Sequence, residues 1–241
     1  RKIKLITLSG LLIPTLYSGL RLNVGTDFPR YVLMYQEITN ISLAEYIAGY
    51  TVEPSLYVIA MLSKALFDSP LLIFILLSTL TIGFFYKGLL KHVQSVRHVT
   101  FALFAYLLII FPNTMNISRQ GVAISVAFYA FTFIPERRFG KYLTWMIVAS
   151  LFHYSTIVLL PAYFLNRVIS KKISDSYSRV KILALSLMMA FALPILAFVA
   201  TKILPIPEKY ANYVTTDGAG ANALFFVIGG VTLILVAMVS L

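Results

Sequence analysis

The sequence predicts an all-α integral membrane protein, a polytopic bundle of about eight spans with one short re-entrant or interfacial helix. Three observations support this fold class. Hydrophobic residues make up 59% of the 241 and charged residues 12%, and the mean hydropathy is +0.86. Apolar runs of near-span length recur along the chain, and clusters of basic residues separate them. A soluble domain has about 25% charged residues, so this chain has too little polar surface to face water.

The apolar runs are compared, in order along the chain, with a span length of about 20 residues. Clear candidates are Ile3–Leu20, Leu71–Tyr86, Val99–Phe111, Gly121–Ile134, Ile182–Ile203 and Ala223–Leu241. Two runs are ambiguous. Pro54–Phe67 is short and carries Lys64, and Tyr142–Leu165 is interrupted at His153. We expect a single transmembrane domain over residues 1–241, truncated at both ends because it starts without Met and stops inside an apolar run.

The basic residues decide how the ambiguous runs are interpreted, because cytoplasmic loops carry an excess of Lys and Arg. The clusters are Arg1/Lys2/Lys4, Lys87/Lys91/Arg97, Arg137/Arg138/Lys141 and Arg167/Lys171/Lys172/Arg179/Lys181. All of them lie inside if Pro54–Phe67 does not cross and if the other run crosses twice. Those two crossings are Phe139–His153 and Ser155–Ile169, each about 22 Å long. The outer face then holds loops 21–53 and 204–222, the corner at 112–120 and the turn at His153.

The first candidate for chemistry comes directly after the first span, in Arg21-Leu-Asn-Val-Gly-Thr-Asp27-Phe-Pro-Arg30. Each guanidinium offers a planar pair of donors that fits phosphate oxygens. Asp27 can take a proton from a hydroxyl group or orient a base. The alternative is interfacial anchoring, in which Arg and Tyr side chains only hold the loop at the lipid boundary.

The second candidate is Arg119, in Asn116-Ile-Ser-Arg119-Gln120 at the start of an apolar helix. A cation near lipid is costly without a partner, so Arg119 needs Asp27, Glu53 or an anionic ligand. Free N–H groups at a helix start favour an anion, and Asn116 and Gln120 offer polar side chains to a substrate. The alternative is a structural ion pair between two helices.

His153 and Glu53 complete the titratable candidates. A histidine between two apolar half-spans can move protons near neutral pH, or it can bond the backbone groups that the turn leaves free. Glu53 precedes Pro54 and either takes part in the chemistry or caps the next helix. Tyr210 and Tyr213 either contact a sugar or anchor the last outer loop. The absence of cysteine excludes thiolate metal sites, and with three histidines a His-rich zinc site is not expected. We expect no metal and no cofactor.

Four of these motifs, in order along the chain, resemble the EpsG family of bacterial exopolysaccharide polymerases, of Wzy type. They are Leu20-Arg-x-x-Val-Gly-Thr-Asp-Phe-x-x-Tyr31, Glu53-Pro54, Asn116-Ile-Ser-Arg119-Gln120-Gly, and Ala149-Ser-Leu-Phe-His153-x-Ser155. The resemblance covers residues 21–164 and is diffuse beyond them.

The resemblance implies a metal-independent membrane glycosyltransferase, similar in architecture to O-antigen ligases. Such an enzyme takes a glycan from an undecaprenyl-diphosphate-linked donor and joins it to the sugar of another lipid-linked repeat unit. In these terms Arg119 binds the diphosphate with Arg21 and Arg30 as helpers. The base is Asp27 or His153, with Glu53 as a third choice.

The same resemblance implies a location and partners. We expect a multi-pass protein of the bacterial inner (cytoplasmic) membrane, with its site on the periplasmic or extracytoplasmic side. Its partners are the lipid bilayer, a flippase and a chain-length regulator, with no nucleic acid. Two alternatives remain open. One is a membrane acyltransferase that modifies envelope glycans with His153 as base, and the other is a lipid-linked oligosaccharide flippase or another transporter.

Overall fold

The computed structural model describes residues 2–49 and 53–164, with side chains from Gly10 onward, and this part of the chain is helical without strands. The all-α class is therefore confirmed for these residues. The helices are α1 (Lys2–Gly19), α2 (Phe28–Ile38), α3 (Leu43–Gly49), α4 (Pro54–Phe67), α5 (Leu71–His92), α6 (Val96–Ile109), α7 (Phe111–Thr114), α8 (Ser118–Phe131) and α9 (Phe139–Phe152), with a 3-10 helix after them at Tyr154–Leu159. The prediction of a single domain over residues 1–241 stays a prediction.

Helix α5 lies at the centre of the packing. It contacts α1 and α8 most extensively and α4 and α6 less so, and α8 packs in turn on α9. Small side chains on α8 make this close approach possible. Its buried residues include Gly121, Ala123, Ser125, Ala127 and Ala130.

Both ambiguous runs have a definite structure. Pro54–Phe67 is a single helix with the bounds of the apolar run, and Pro54 occupies its first turn, where a missing N–H costs nothing. The break at His153 is confirmed, since α9 ends at Phe152. Beyond the break, the chain forms a 3-10 helix at Tyr154–Leu159 rather than an α-helix from Ser155, and residues 165–169 lie outside the described part.

Span length is the weaker part of the membrane prediction. Within residues 2–49 and 53–164, one helix, Leu71–His92, is long and apolar enough to cross a bilayer. Shorter apolar helices of 10–17 residues accompany it, namely Pro54–Phe67, Val96–Ile109, Phe139–Phe152 and the stretch Tyr154–Phe164, which begins with the 3-10 helix. The bundle of about eight spans stays a prediction, and Ile182–Ile203 and Ala223–Leu241 lie outside the described residues.

The alternating helices give the described bundle two distinct ends. We call the first the site end. The segment after α1, the first turn of α5 and the start of α8 meet there, as shown by Arg21, which lies over the Phe74 ring and contacts Ser118. We call the second the basic end. There the end of α5 meets the turn between α8 and α9, as the 3.4 Å contact between Lys91 and Glu136 shows.

Candidate functional site

A buried carboxylate, that of Glu53, is the centre of the site end. Glu53 is 6% exposed, and both of its carboxylate oxygens have partners. Oε2 forms an ion pair with Arg119 Nη1. Oε1 lies 2.9 Å from His153 Nδ1 and accepts a hydrogen bond from the backbone N–H of Tyr154 at 3.3 Å. One carboxylate therefore joins residues that are 66 and 100 positions away in sequence.

Glu53 reaches this position because it stands directly before α4. It occupies the N-cap position with an extended backbone (φ −61°, ψ 143°), but its side chain makes no capping hydrogen bond. Glu53 thus stands at the predicted cap position, but its carboxylate bonds Arg119 and His153 instead of the first N–H groups of α4. Its backbone oxygen accepts a hydrogen bond of 3.1 Å from the Tyr46 hydroxyl group, which ties the residue to α3.

His153 stands at the break between α9 and the 3-10 helix. Its extended backbone (φ −157°, ψ 112°) stops the α-helix after Phe152. Thr156 satisfies the carbonyl group of His153 through its N–H at 3.1 Å and its hydroxyl at 2.8 Å. A carbonyl left free where a helix ends needs such partners. The imidazole lies against Glu53, with Nδ1 2.9 Å from Oε1.

Arg119 occupies the second position of α8. Its backbone N–H and its Nε both donate to the Tyr31 hydroxyl oxygen, at 3.3 Å and 3.2 Å. Nη1 pairs with Glu53, and no hydrogen bond joins Nη2 to another of the described residues. The corner before α8 is close-packed, because a Cβ on Gly121 would lie 2.8 Å from Thr114 Cβ.

The segment after α1 is fastened to the same corner. Asn116 Oδ1 accepts a hydrogen bond from the backbone N–H of Thr26 at 3.1 Å. Gly25 makes this approach possible: its φ is +92°, and a Cβ there would lie 2.6 Å from Asn116 Oδ1. The glycine of the Val-Gly-Thr-Asp motif is thus required by this close approach. The side-chain oxygen of Asn116 bonds the protein itself.

Arg21 is the most buried of the three arginines, with 6% exposure. Its Nη2 donates to Ser118 Oγ at 3.3 Å, and its Cζ lies 4.6 Å from the centre of the Phe74 ring. Its Nε and Nη1 are buried and have no hydrogen-bond partner in the described part of the chain. The result is a positive charge held beside the start of α8.

The electrostatics of the two carboxylates differ. Burial alone would raise the pKa of Glu53, but the hydrogen bond with His153 and the charge of Arg119 outweigh it and hold that pKa below its ordinary value. Burial raises the pKa of Asp27, and the charges of Arg30, Arg119 and Arg21 offset this only in part. Glu53 therefore favours its charged form, whereas Asp27 holds a proton more readily than an ordinary aspartate does.

Of the predicted residues, the structure brings Glu53, Arg119 and His153 into direct contact. Arg21 bonds Ser118, the residue before Arg119. Asp27 is close enough to all three arginines for their charges to act on its pKa. Arg30 is exposed and Gln120 is half-buried, and Tyr210 and Tyr213 lie outside the described residues. The roles predicted for these residues stay predictions. Within residues 2–49 and 53–164, no group of three or more His, Cys, Asp or Glu is placed to hold a metal ion.

Two tyrosines of the site were not predicted from the sequence. Tyr31 contacts Arg119, and Tyr46 contacts Glu53. Tyr31 carried a detectable signal, since it is the last residue of the Leu20–Tyr31 motif. Tyr46 carried none, because nothing in its surroundings in the sequence links it to Glu53.

Comparison with known proteins gives one match. A family model described as the EpsG family covers residues 4–240, nearly the whole chain. Neither the curated proteins nor the solved structures yield a match.

Proposed function

The chain belongs to the EpsG family, and from that premise we propose a membrane glycosyltransferase. Its reaction polymerises undecaprenyl-diphosphate-linked repeat units into an exopolysaccharide or another surface polysaccharide. Family membership suggests an exopolysaccharide-related polymerase. The observation that carries the finer proposal is the placement of Arg119 and His153 on the two oxygens of one buried carboxylate.

The leaving group of this reaction is a diphosphate, whose negative charge must be neutralised as the glycosidic bond breaks. Preplaced donors and charges are the usual large contribution to such a step. Arg119 directs Nε and Nη1 to Tyr31 and Glu53, and among the described residues no other partner takes Nη2 or the second N–H of Nη1, so we assign these groups to phosphate oxygens. Arg21, Arg30 and Arg119 outnumber Asp27 and Glu53 by one charge, which favours an anion here.

The acceptor hydroxyl group must lose a proton, and His153 is our choice of base. Glu53 is ionised and can only accept hydrogen bonds, so Nδ1 of a neutral His153 carries the ring proton and Nε2 keeps a lone pair. A carboxylate that orients an imidazole in this way supports general-base catalysis. Glu53 is thus a positioning residue, since both of its oxygens are occupied.

The bond changes of the proposed reaction balance. His153 Nε2 takes the proton of the acceptor hydroxyl group, and the oxygen forms a bond to the anomeric carbon of the donor glycan. The bond from that carbon to the diphosphate oxygen breaks, and the undecaprenyl diphosphate leaves with its electron pair. Displacement on the opposite side inverts the anomeric carbon. Asp27, with its raised pKa, supplies a second polar group near the arginines.

The proposed side of the membrane is inferred from the two ends of the bundle. Lys87, Lys91, Arg138 and Lys141 belong to the basic end, whereas Arg119 and Glu53 lie at the site end. Because basic loops favour the cytoplasm, the proposed site faces the extracytoplasmic side. The substrate lipid then reaches the site from the outer leaflet.

The test supplies purified protein with a lipid-diphosphate-linked repeat unit and looks for a ladder of longer glycans. We expect a ladder with the wild type and none with Arg119→Ala or His153→Ala. Matched controls are Arg138→Ala and His98→Ala, which remove the same residue types at exposed positions of the basic end and should keep the ladder.

Cells provide the second part of the test. The two inactive variants should accumulate single repeat units on the outer leaflet. Units that accumulate on the cytoplasmic side would show transport instead, and a single acylated product in the purified assay would show an acyltransferase.

A further inference from the structure

We propose that Tyr31 is a positioning residue, which holds the Arg119 guanidinium in the orientation that receives the diphosphate. The inference rests on the proposed function and adds a residue to it. Tyr31 lies in α2 and is 4% exposed. It contacts Arg119 across 88 residues of sequence.

The contact is made at two atoms of the same residue. The Tyr31 hydroxyl oxygen accepts from the Arg119 backbone N–H at 3.3 Å and from its Nε at 3.2 Å. A single bond would let the side chain rotate about the contact. Two bonds, one to the main chain and one to the side chain, fix the direction in which the guanidinium leaves α8.

The backbone bond has its own physical reason. The first N–H groups of a helix have no partner inside it, and Ile117, which stands at the N-cap position of α8, provides no side-chain acceptor. The Tyr31 oxygen supplies that acceptor for Arg119 from another helix. Tyr31 therefore caps α8 and orients its arginine with one atom.

The fixed orientation matters because Glu53 competes for the same guanidinium. With Nε held by Tyr31, Glu53 receives Nη1 alone, and Nη2 remains for phosphate. Without the Tyr31 oxygen, Nε is released, and the guanidinium can rotate so that a second N–H group also bonds Glu53 Oε2. That arrangement would withdraw Arg119 from the diphosphate.

The ring of Tyr31 is held separately from its oxygen. It packs against Phe74, with ring centres 5.7 Å apart, and Phe74 stacks on Phe28 at 4.9 Å. Tyr31→Phe therefore removes the acceptor and keeps the aromatic packing. Tyr35→Phe is the matched control: Tyr35 is on the same helix one turn later and buried, and its hydroxyl donates to Asp68 at 2.7 Å rather than contacting Arg119.

The experiment measures binding of inorganic pyrophosphate to the purified full chain by calorimetry, together with kcat and KM in the polymerisation assay. We expect Tyr31→Phe to weaken pyrophosphate binding roughly tenfold, the factor for loss of one charged hydrogen bond, and to raise KM for the lipid-linked donor. Tyr35→Phe should behave as the wild type does in both measurements. Thermal unfolding of both variants shows whether the comparison is made between folded proteins.

A double-substitution cycle separates positioning from simple stabilisation. Lysine lacks the guanidinium Nε–H that bonds Tyr31, so Tyr31→Phe should add little to the effect of Arg119→Lys. An equal loss in both backgrounds, or wild-type binding and kinetics for Tyr31→Phe, would overturn the proposal. A wild type that binds pyrophosphate but makes no polymer would refute the proposed function instead, while the binding series would still decide the role of Tyr31.

Discussion

The two ends of the described bundle both pair arginine or lysine with glutamate, but in different surroundings. At the basic end, Glu136 lies 3.4 Å from Lys91 and 3.1 Å from Arg138, and all three side chains are 37–56% exposed. At the site end, the side chain of Glu53 is 8% exposed and that of its partner Arg119 is 23% exposed.

Burial is what separates a solvated charge cluster from a candidate site. An exposed ion pair contributes about 0–1 kcal/mol, because water screens it. A buried pair need not stabilise more, but removing one of its members strands the other and costs about 3–5 kcal/mol. Arg119 is further held by Tyr31, and Glu53 by Tyr46, whereas Lys91 and Arg138, which pair with Glu136, are themselves exposed.

The largest expected effect comes from removing the negative charge of Glu53. Glu53→Gln should lower the free energy of unfolding by about 3 kcal/mol, since it strands a mostly buried Arg119. It should also abolish polymer formation, because His153 loses its orienting carboxylate. The measurement is chemical unfolding of the detergent-purified protein, with polymer yield scored in parallel. Glu136→Gln, the same change at the basic end, should cost less than about 1 kcal/mol, and equal losses at both ends would contradict the comparison.

Low pH should remove the difference in unfolding free energy between the wild type and Glu53→Gln. The pKa of Glu53 is held below its ordinary value of about 4.3, so the charged form stabilises the fold. This contribution is fully present above that ordinary pKa and is lost as the pH falls through the lowered pKa of the folded state. Unfolding of wild type and Glu53→Gln, compared from neutral to acidic pH, should show a gap that is constant at first and then closes. A gap independent of pH would mean that folding does not lower the pKa of Glu53.

A smaller effect is expected where the loop after α1 approaches α8. Gly25→Ala places a side chain at φ +92° and 2.6 Å from Asn116 Oδ1, so it should cost about 1–2 kcal/mol and reduce polymer yield by displacing the loop. Gly140→Ala is the control at the basic end, where an added Cβ has no atom within 4 Å. Thermal unfolding measures both variants. A midpoint for Gly25→Ala that matches the Gly140→Ala midpoint would show that the approach is not tight.

Local features of the fold were predictable because their causes are local. The Pro54–Phe67 helix and the break at His153 result from apolar runs, a proline and an interruption that stand next to one another in the sequence. The 3-10 geometry after His153 was not predicted. It begins with an i to i+3 hydrogen bond from the Thr156 N–H to the His153 carbonyl oxygen, and the 3-10 and α geometries differ by only about 10–20° in ψ.

The candidate site divides in the same way. Sequence alone selected Asp27, Glu53, Arg119 and His153 among the few polar residues of an apolar chain, and it required a partner for Arg119 near lipid. It left that partner open among Asp27, Glu53 and a ligand, and it left the role of Glu53 open between chemistry and capping. The sequence could not choose between these alternatives, because they differ only in which side chains meet when the helices pack.

Composition and motif order by themselves determined the helical class, the candidate residues and the family, because apolar runs and the polar residues between them are properties of the sequence alone. The tertiary structure alone decided that Glu53 bridges Arg119 and His153, that Asn116 holds the loop, and that Tyr31 orients the arginine. The physical reason is distance along the chain. These contacts join residues 66 to 100 positions apart, and only the packing of the helices around α5 brings them within the few ångströms at which hydrogen bonds form.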